Sequence, residues 1–322
     1  MGIISKNISK AVELLNNEEL VAIPTETVYG LAGNIFSEKA VKAIFKTKKR
    51  PSFNPLIVHI ASKNRLTNIV SYVPIKAQLL ADAFWPGPIT LVLPKKDIIP
   101  DLITSGKPTV AVRVPNHPKT LQLLNQLEFP LAAPSANPFS NISPTKPEHV
   151  ENYFKHDIKM VLDGGPCKSG IESTIIGFEN DEPIIYRLGS TPIEEIERVI
   201  GKILIKNKEE ISPEAPGMLE RHYAPQTKTI LTENLVKSIE ANREKRIGLL
   251  IFNDILNDEM IHFKIVLSET KNLDEAASKL YDALHQLDNQ DLDIIIAEKL
   301  PDYGLGKSIN DRLSRATKNK FG

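Results

Sequence analysis

Apolar residues recur along the first two thirds of the chain in two alternating rhythms. Ile8, Ala11, Val12 and Leu15 are spaced as one face of a helix, and Leu20 to Ile23 follow as a short apolar run closed by Pro24. Ala40, Val41, Ile44 and Phe45 again share a helical face, over 38–49. Then "PLIVHI" (55–60), "ITLVLP" (89–94), "TVAVRVP" (109–115), "PLAAPSA" (130–136), "KMVLDGG" (159–165) and "STIIGF" (173–178) read as strands punctuated by Pro and Gly. Stretches of helical spacing at 74–84, 117–127, 146–154 and 192–201 fall between several of them. This alternation predicts an α/β domain built on a large, mixed sheet.

Periodicity fails over 206–227, "KNKEEISPEAPGMLERHYAPQT", where three prolines and a charge run interrupt it. That segment reads as a linker, with His222 and Tyr223 as unusual cargo. Beyond it, "IGLLIF" (247–252) and "DLDIIIAEKL" (291–300) bracket an amphipathic helix with Leu273, Ala276, Ala277, Leu280, Leu284 and Leu287 on one side. The expected organisation is therefore a first domain over 1–205, a linker over 206–227, and a smaller, Rossmann-like α/β domain over 228–322. No internal repeat is visible.

Charge narrows the function classes. Forty basic residues balance forty acidic ones, so no overall field draws the molecule onto nucleic acid or an anionic membrane. No run approaches the 18 apolar residues of a membrane span, and the N-terminus lacks the pattern of a signal peptide. A soluble, cytoplasmic protein with no membrane partner is the expectation. The only cysteine, Cys167, excludes an intrachain disulfide and a cysteine-rich zinc site, and reads as inert.

Candidate chemistry is scattered over several stretches. "GLGKSINDRL" (304–313) looks like a phosphate loop, but the Walker pattern needs glycine where Pro301 stands. A helix capped by Ser308, with Ile309, Leu313 and Ala316 turned to the core, explains it better. In "KTKKRPSFNPLIVH" (46–59), cations at a helix C-terminus are favourable in themselves, yet Arg50, Asn54 and His59 gather around the start of a buried strand. Phe45 and Phe53 beside them also permit contacts to RNA. "AAPSANPFSNISPT" (132–145) and "DGGPCKSGIEST" (163–174) carry small residues that would suit either turns or close backbone approach to a phosphate. Arg113, inside an apolar strand, needs an anionic partner, either an acidic side chain or a substrate carboxylate. There is no HExxH and no GxSxG elbow.

Taken in order, "PTETVYGLAGN", "KKRPSFNPLIVH", "FWPGPITLVLP", "TVAVRVPNHP", "APSAN" with "SPT", and "GIESTII" followed by "YRLG" resemble the YrdC/Sua5 family. "APGMLERHYAP" and "GLGKSINDRLSRA" are similar to its two-domain, Sua5 type. The resemblance implies a YrdC-like twisted mixed sheet with helices, and the activity of an L-threonylcarbamoyladenylate synthase. Such an enzyme is a nucleotidyltransferase that makes threonylcarbamoyl-AMP and pyrophosphate from ATP, L-threonine and bicarbonate or CO2, for N6-threonylcarbamoyladenosine at position 37 of tRNA. It further implies Mg2+ arriving with ATP, no organic cofactor, no certain protein ligand for a metal, a downstream threonylcarbamoyl transferase machinery as partner, and tRNA only indirectly.

Carried over position by position, the resemblance assigns Thr27, His59, Arg113, Ala133 and Ser173 to the threonine side, with Arg113 as the carboxylate clamp. It assigns Lys48, Arg50, Asn54, Thr109, Ser135, Asn137, Ser143 and Arg187 to the ATP side. His222 and Tyr223 match a segment that lies over the site, so 212–225 is expected to act as a lid. Tyr29 is read as structural. No residue is assigned as a certain catalyst, because the reaction asks for alignment of anions more than for a protein nucleophile. Two rivals stand beside this reading. A hydrogenase-type carbamoyl-transfer factor is excluded by the single cysteine, and a non-catalytic RNA-binding or ribosome-associated module would use the Lys46 to Arg50 patch.

Overall fold

The computed structural model describes residues 2–206, 223–253 and 259–318 of the chain. Its first eleven strands are β1 (Ile4–Ser5), β2 (Val21–Ile23), β3 (Gly30–Asn34), β4 (Ile57–His59), β5 (Ile89–Pro94), β6 (Thr109–Arg113), β7 (Leu131–Ala132), β8 (Met160–Leu162), β9 (Thr174–Glu179), β10 (Glu182–Arg187) and β11 (Leu204–Ile205). They form one sheet in the order β1-β8-β2-β3-β7-β4-β6-β5-β9-β10-β11. The sheet is mixed. β1/β8, β8/β2, β4/β6, β5/β9 and β10/β11 are parallel, and the other neighbours antiparallel. Helices α1 (Ile8–Asn16), α2 (Glu38–Lys48), α3 (Ile75–Phe84), α4 (Asp101–Thr104), α5 (Pro118–Asn125), α6 (Pro147–Phe154) and α7 (Ile193–Ile200) connect these strands.

Helix α2 shows how sequence sets a boundary and delivers a functional residue. Ser37 caps its start by accepting the Ala40 N–H, and Lys49 ends it in the left-handed region at φ +51°. Val41, Phe45 and Lys48 follow one another at helical spacing on the stripe that Ala40 and Ile44 also bury. Lys48 is thereby drawn under the protein surface with the apolar residues of its own face.

The second sheet contains β12 (Thr229–Thr232), β13 (Ile247–Ile251), β14 (Ile261–Val266) and β15 (Ile294–Glu298), in the order β12-β15-β13-β14 and parallel throughout. Helices α8 (Leu235–Glu240), α9 (Leu273–Asp288) and α10 (Leu305–Ala316) accompany it. A parallel sheet covered on both faces needs nearly continuous apolar strands, as "IGLLI" and "IIIAE" supply. The expected helix of 273–287 is present and buries Ala276, Ala277, Leu280, Leu284 and Leu287, each leucine contributing roughly 1.5–3 kcal/mol by leaving water.

One apolar cluster crosses between the two sheets. Val28, Ile142 and Ile171 of the first pack with Tyr223, Leu280, Tyr281, Ile309 and Leu313. The expected linker falls mostly on 207–222, outside the described residues. Among the described residues no helix is long and apolar enough to cross a membrane.

Candidate active site

The parallel pair β4/β6 sets His59 opposite Arg113 and Ile57 opposite Ala111. Side chains alternate across a strand, so these four share one face, while Val58 and Val112 turn to the main core behind. The shared face carries a small apolar bed of Ile57, Val92, Ala111 and Ile175. Where it meets the strand ends, a narrow cleft opens to solvent. Thr25, Thr27, Arg50, His59, Arg113, Ala133, Ser135, Glu172, Ser173, Arg187 and Tyr223 are among its lining residues.

The hydroxyl-rich loop 24–29 joins the antiparallel strands β2 and β3. Thr25 organises it: its Oγ1 accepts from the N–H groups of Thr27 (3.1 Å) and Val28 (3.2 Å) and donates to the Val28 carbonyl (2.7 Å). Thr27 is thereby presented to the cleft. Gly30 lets the chain around Ala133 come close, since a Cβ there would lie 3.1 Å from that of Ala133. Tyr29 turns away, donating to the Gly165 carbonyl at 2.7 Å.

All five threonine-side residues line this one cleft. His59 is buried, and its Nδ1 has no hydrogen-bond partner among the described residues. Burial, with Arg113 adjacent, pushes its pKa down to about 3, so the imidazole is neutral. Arg113 meets an acidic side chain, Glu26, with Nη2 2.8 Å from Oε1, and its Nε donates to the Gly87 carbonyl at 3.2 Å. Of the two partners the sequence leaves open for Arg113, the protein itself supplies one.

The ATP-side residues divide. Arg50, Ser135 and Arg187 line the cleft. Burial, with Arg187 nearby, lowers Arg50 to about 9, and burial likewise lowers Arg187 from its ordinary value. Arg187 donates to the Ser173 carbonyl (2.8 Å) and hydroxyl (3.1 Å). Lys48, Asn54, Asn137 and Ser143 sit buried behind the lining. The Lys48 ammonium donates to the carbonyls of Ser135 and Asn137, both at 2.5 Å, and pins the "APSAN" loop. Asn137 braces that loop through the Pro138 and Asn141 carbonyls. Neither amide atom of Asn54 has a partner among the described residues, although the residue is wholly buried. Thr109 lies on the same face of β6 as Arg113 but four residues earlier, about 13 Å along the strand. It is outside the lining.

Sequence reasoning misses Glu172. It is buried, with Oε1 accepting from Ser143 (2.6 Å) and Oε2 from Tyr281 (2.9 Å) and Arg312 (3.0 Å). Burial pushes this carboxyl up, but Arg312 and Arg187 together with the Ser143 hydroxyl outweigh it and hold it below the usual range. Arg312 is fully buried, and its guanidinium lies 5.1 Å from the centre of the Tyr223 ring. It belongs to the "GLGKSINDRL" stretch. There the structure corrects the expectation: α10 begins after Gly304, and Ser308, far from capping, donates to the Gly189 carbonyl at 2.8 Å.

Tyr223, expected in the lid, forms part of the wall, buried and at φ +62°. Bulky residues are rare in that region and persist where their surroundings hold them. His222 and most of 212–225 lie outside the described residues. Cys167 is buried and its thiol pushed up by burial, as an inert cysteine should be. Among the described residues no cluster of His, Cys, Asp and Glu could hold a metal ion.

Comparison with known proteins covers both sheets. The family model Sua5_yciO_yrdC, described as "Telomere recombination", matches residues 13–189, and the model described as "Threonylcarbamoyl-AMP synthase, C-terminal domain" matches 191–317. The chain is 40% identical to the threonylcarbamoyl-AMP synthase of Pyrococcus abyssi, over 95% of this chain and 93% of that one. It is also 40% identical to that of Bacillus subtilis, over 96% and 92%. The crystal structure of P. abyssi Sua5 complexed with L-threonine superposes with a TM-score of 0.91 at 39% identity, covering 98% of this chain and 96% of that one.

Proposed function

The chain belongs to the Sua5/YciO/YrdC family in its two-domain form, and from that premise we infer that it is an L-threonylcarbamoyladenylate synthase. It consumes ATP, L-threonine and bicarbonate or CO2, releases pyrophosphate, and makes the threonylcarbamoyl-AMP that serves tRNA modification. One observation carries the reading: Thr27, His59, Arg113, Ala133 and Ser173, drawn from five separate stretches of sequence, converge on one cleft in a fold shared with a threonine-complexed Sua5.

The chemistry follows from that lining. The threonine amine adds to CO2 to give a carbamate, releasing protons. A carbamate oxygen then forms a bond to the α-phosphorus as the bond to the β-phosphate oxygen breaks and pyrophosphate leaves. No protein nucleophile is required, so the protein's task is to hold two anions in line and to stabilise the charge that spreads over the α-phosphate. Arg113 takes the amino-acid carboxylate. Thr27, neutral His59 and Ser173 orient the remaining polar groups. Arg50 and Arg187 face the phosphates, and Lys48, Asn54, Asn137 and Ser143 hold the loops that shape the nucleotide end. The bed of Ile57, Val92, Ala111 and Ile175 suits the base, which brings Thr109 within reach of a nucleotide stretched along β6.

The lining carboxylate Glu172 is committed to Arg312, Tyr281 and Ser143. Mg2+ therefore belongs with the triphosphate as part of the substrate. Tyr223 completes the wall over the site and helps to exclude water from the adenylate. The product then passes to a threonylcarbamoyl transferase, so the activity itself does not require contact with tRNA.

The test is direct. Purified protein with MgATP and 14C-bicarbonate should form labelled adenylate and pyrophosphate only when L-threonine is present, and Arg113→Ala should lower kcat/KM by about 10²–10³. Folded protein yielding neither product would overturn the assignment, and salt-sensitive tRNA binding in its place would favour the RNA-binding alternative.

A further inference from the structure

The acid beside the clamp has no role in the chemistry derived above. Glu26 is buried, and its position is fixed from two sides: Oε2 accepts the Asn116 N–H at 2.8 Å, and its main-chain carbonyl accepts the Ser169 N–H at 2.7 Å. Its other oxygen, Oε1, lies 2.8 Å from Arg113 Nη2, yet neither atom makes an aligned hydrogen bond. The pair is thus close enough to cancel charge and too poorly directed to use up the guanidinium's donors. Arg113 lines the cleft while Glu26 stands behind it, outside the lining.

Resting on the threonine reading of this site, we propose that Glu26 is a positioning residue that fixes which way the carbamate intermediate lies. Threonine enters as a zwitterion and becomes a dianion, with a carboxylate at one end and a carbamate at the other. The two groups have the same planar O–C–O shape, so shape alone cannot keep them apart. Charge can. At one end of the cleft Arg113 is already half-neutralised by Glu26, while at the other the one lining carboxylate, Glu172, is shared between Arg312 and Arg187, so Arg50 and Arg187 together keep a net positive charge. The carbamate, whose oxygen must reach the phosphorus, is drawn to the more positive end, and the carboxylate stays with the damped arginine. Without Glu26 both ends become strongly cationic. Threonine then binds at least as tightly, because its carboxylate is the only counter-ion left for a buried arginine, but a share of the bound intermediate lies the wrong way round.

Three variants test this: Glu26→Gln, Glu26→Asp and the double variant E26Q/R113M. In E26Q, kcat should fall at least tenfold while the KM for threonine stays level or drops and the KM for ATP is unchanged. E26D, which keeps the charge, should recover much of the loss. Calorimetric titration with L-threonine should give a Kd for E26Q no weaker than that of the parent chain. The inference is overturned if E26Q turns over within twofold of the parent, or if its threonine and ATP KM values rise together, the mark of general loosening. Should E26Q fail to fold, E26Q/R113M decides: a folded double variant supports a counter-ion pair, and a second failure overturns it. A parent chain that gives no heat with threonine removes the threonine reading and this inference together. A parent that binds threonine, with E26Q indistinguishable from it in turnover, removes the inference alone.

Discussion

The two ends of the cleft are built by different means. At the proposed threonine end, the lining side chains ride on strand termini and tight loops within one sheet: His59 and Arg113 close adjacent parallel strands, and Thr27 sits in the hairpin loop beside them. At the proposed nucleotide end Arg187 closes β10, but the rest of the lining is loop, held from behind by buried polar groups. Lys48 comes in on α2, and Glu172 is fixed by Tyr281 and Arg312 on α9 and α10. The first kind of construction depends on register, which a one-residue slip would invert. The second depends on buried polar groups that meet across 87 to 140 residues of chain, one of them Arg312 on α10, so it is the end at which the second domain has leverage.

Arg312→Met breaks that comparison most severely. It removes the cation from a buried carboxylate, which typically destabilises a protein by ~3–5 kcal/mol, although Asp311 keeps Arg315 at 3.0 Å. Chemical denaturation should show that loss, and ATP affinity should weaken while the threonine end, which Arg312 does not touch, keeps its affinity. Equal loss at both ends would mean the cleft responds as one unit.

Acid should act at the threonine end. His59 has a folded pKa of about 3 against an ordinary 6.5. The unfolded chain therefore binds this proton first, and the stabilising contribution, whole above pH 6.5, drains as pH falls from 6.5 towards 3. The slope is at most about 1.4 kcal/mol per pH unit from this one group. His285, buried at the domain boundary and also pushed to about 3, adds to the same window. A stability profile against pH for His59→Asn should be flatter than the parent's by one proton. An unchanged profile would mean that His59 is not held neutral by burial.

Lys48→Met tests the loop at the nucleotide end. Two main-chain carbonyls lose a buried amine donor, costing roughly 1–3 kcal/mol. The KM for ATP should rise severalfold with the threonine KM little altered. A change confined to threonine would reassign the "APSAN" loop to the other end.

These contrasts track what the sequence could and could not convey. The strand over 89–94 and helices over 38–48 and 273–288 stand where apolar spacing puts them. β3 is missed because "GLAGN" is glycine-rich and without alternation, and "PLAAPSA" shrinks to Leu131–Ala132 because Pro130 and Pro134 flank it and cannot donate to a ladder. β10, β12 and β14 are missed as well: Pro183 and short polar interruptions hide their period. Arg113 was legible as a site residue because an arginine in an apolar strand is anomalous on its own. Arg312 was not. On a helix with a polar face it looks solvated, and its partner Glu172 lies 140 residues away. Sequence exposes a local misfit. It hides a pairing that only the fold brings together.

The finest test of the two-ended picture is a tyrosine that belongs to neither end. Tyr29 is buried beside the hydroxyls of the threonine loop, yet its OH donates to the Gly165 carbonyl at 2.7 Å and accepts the Gly164 N–H at 3.1 Å, behind the cleft. Burial pushes its pKa up, so it stays neutral and keeps that donor. Tyr29→Phe deletes one hydroxyl, leaves the Gly165 carbonyl and Gly164 N–H short of a partner, and should cost about 1–2 kcal/mol in thermal or urea denaturation. Neither KM should move, because the ring that packs the loop remains. A rise in the threonine KM alone would show that the loop's placement depends on this hydroxyl, and the threonine end would then share the reliance on distant tethers that otherwise marks the nucleotide end.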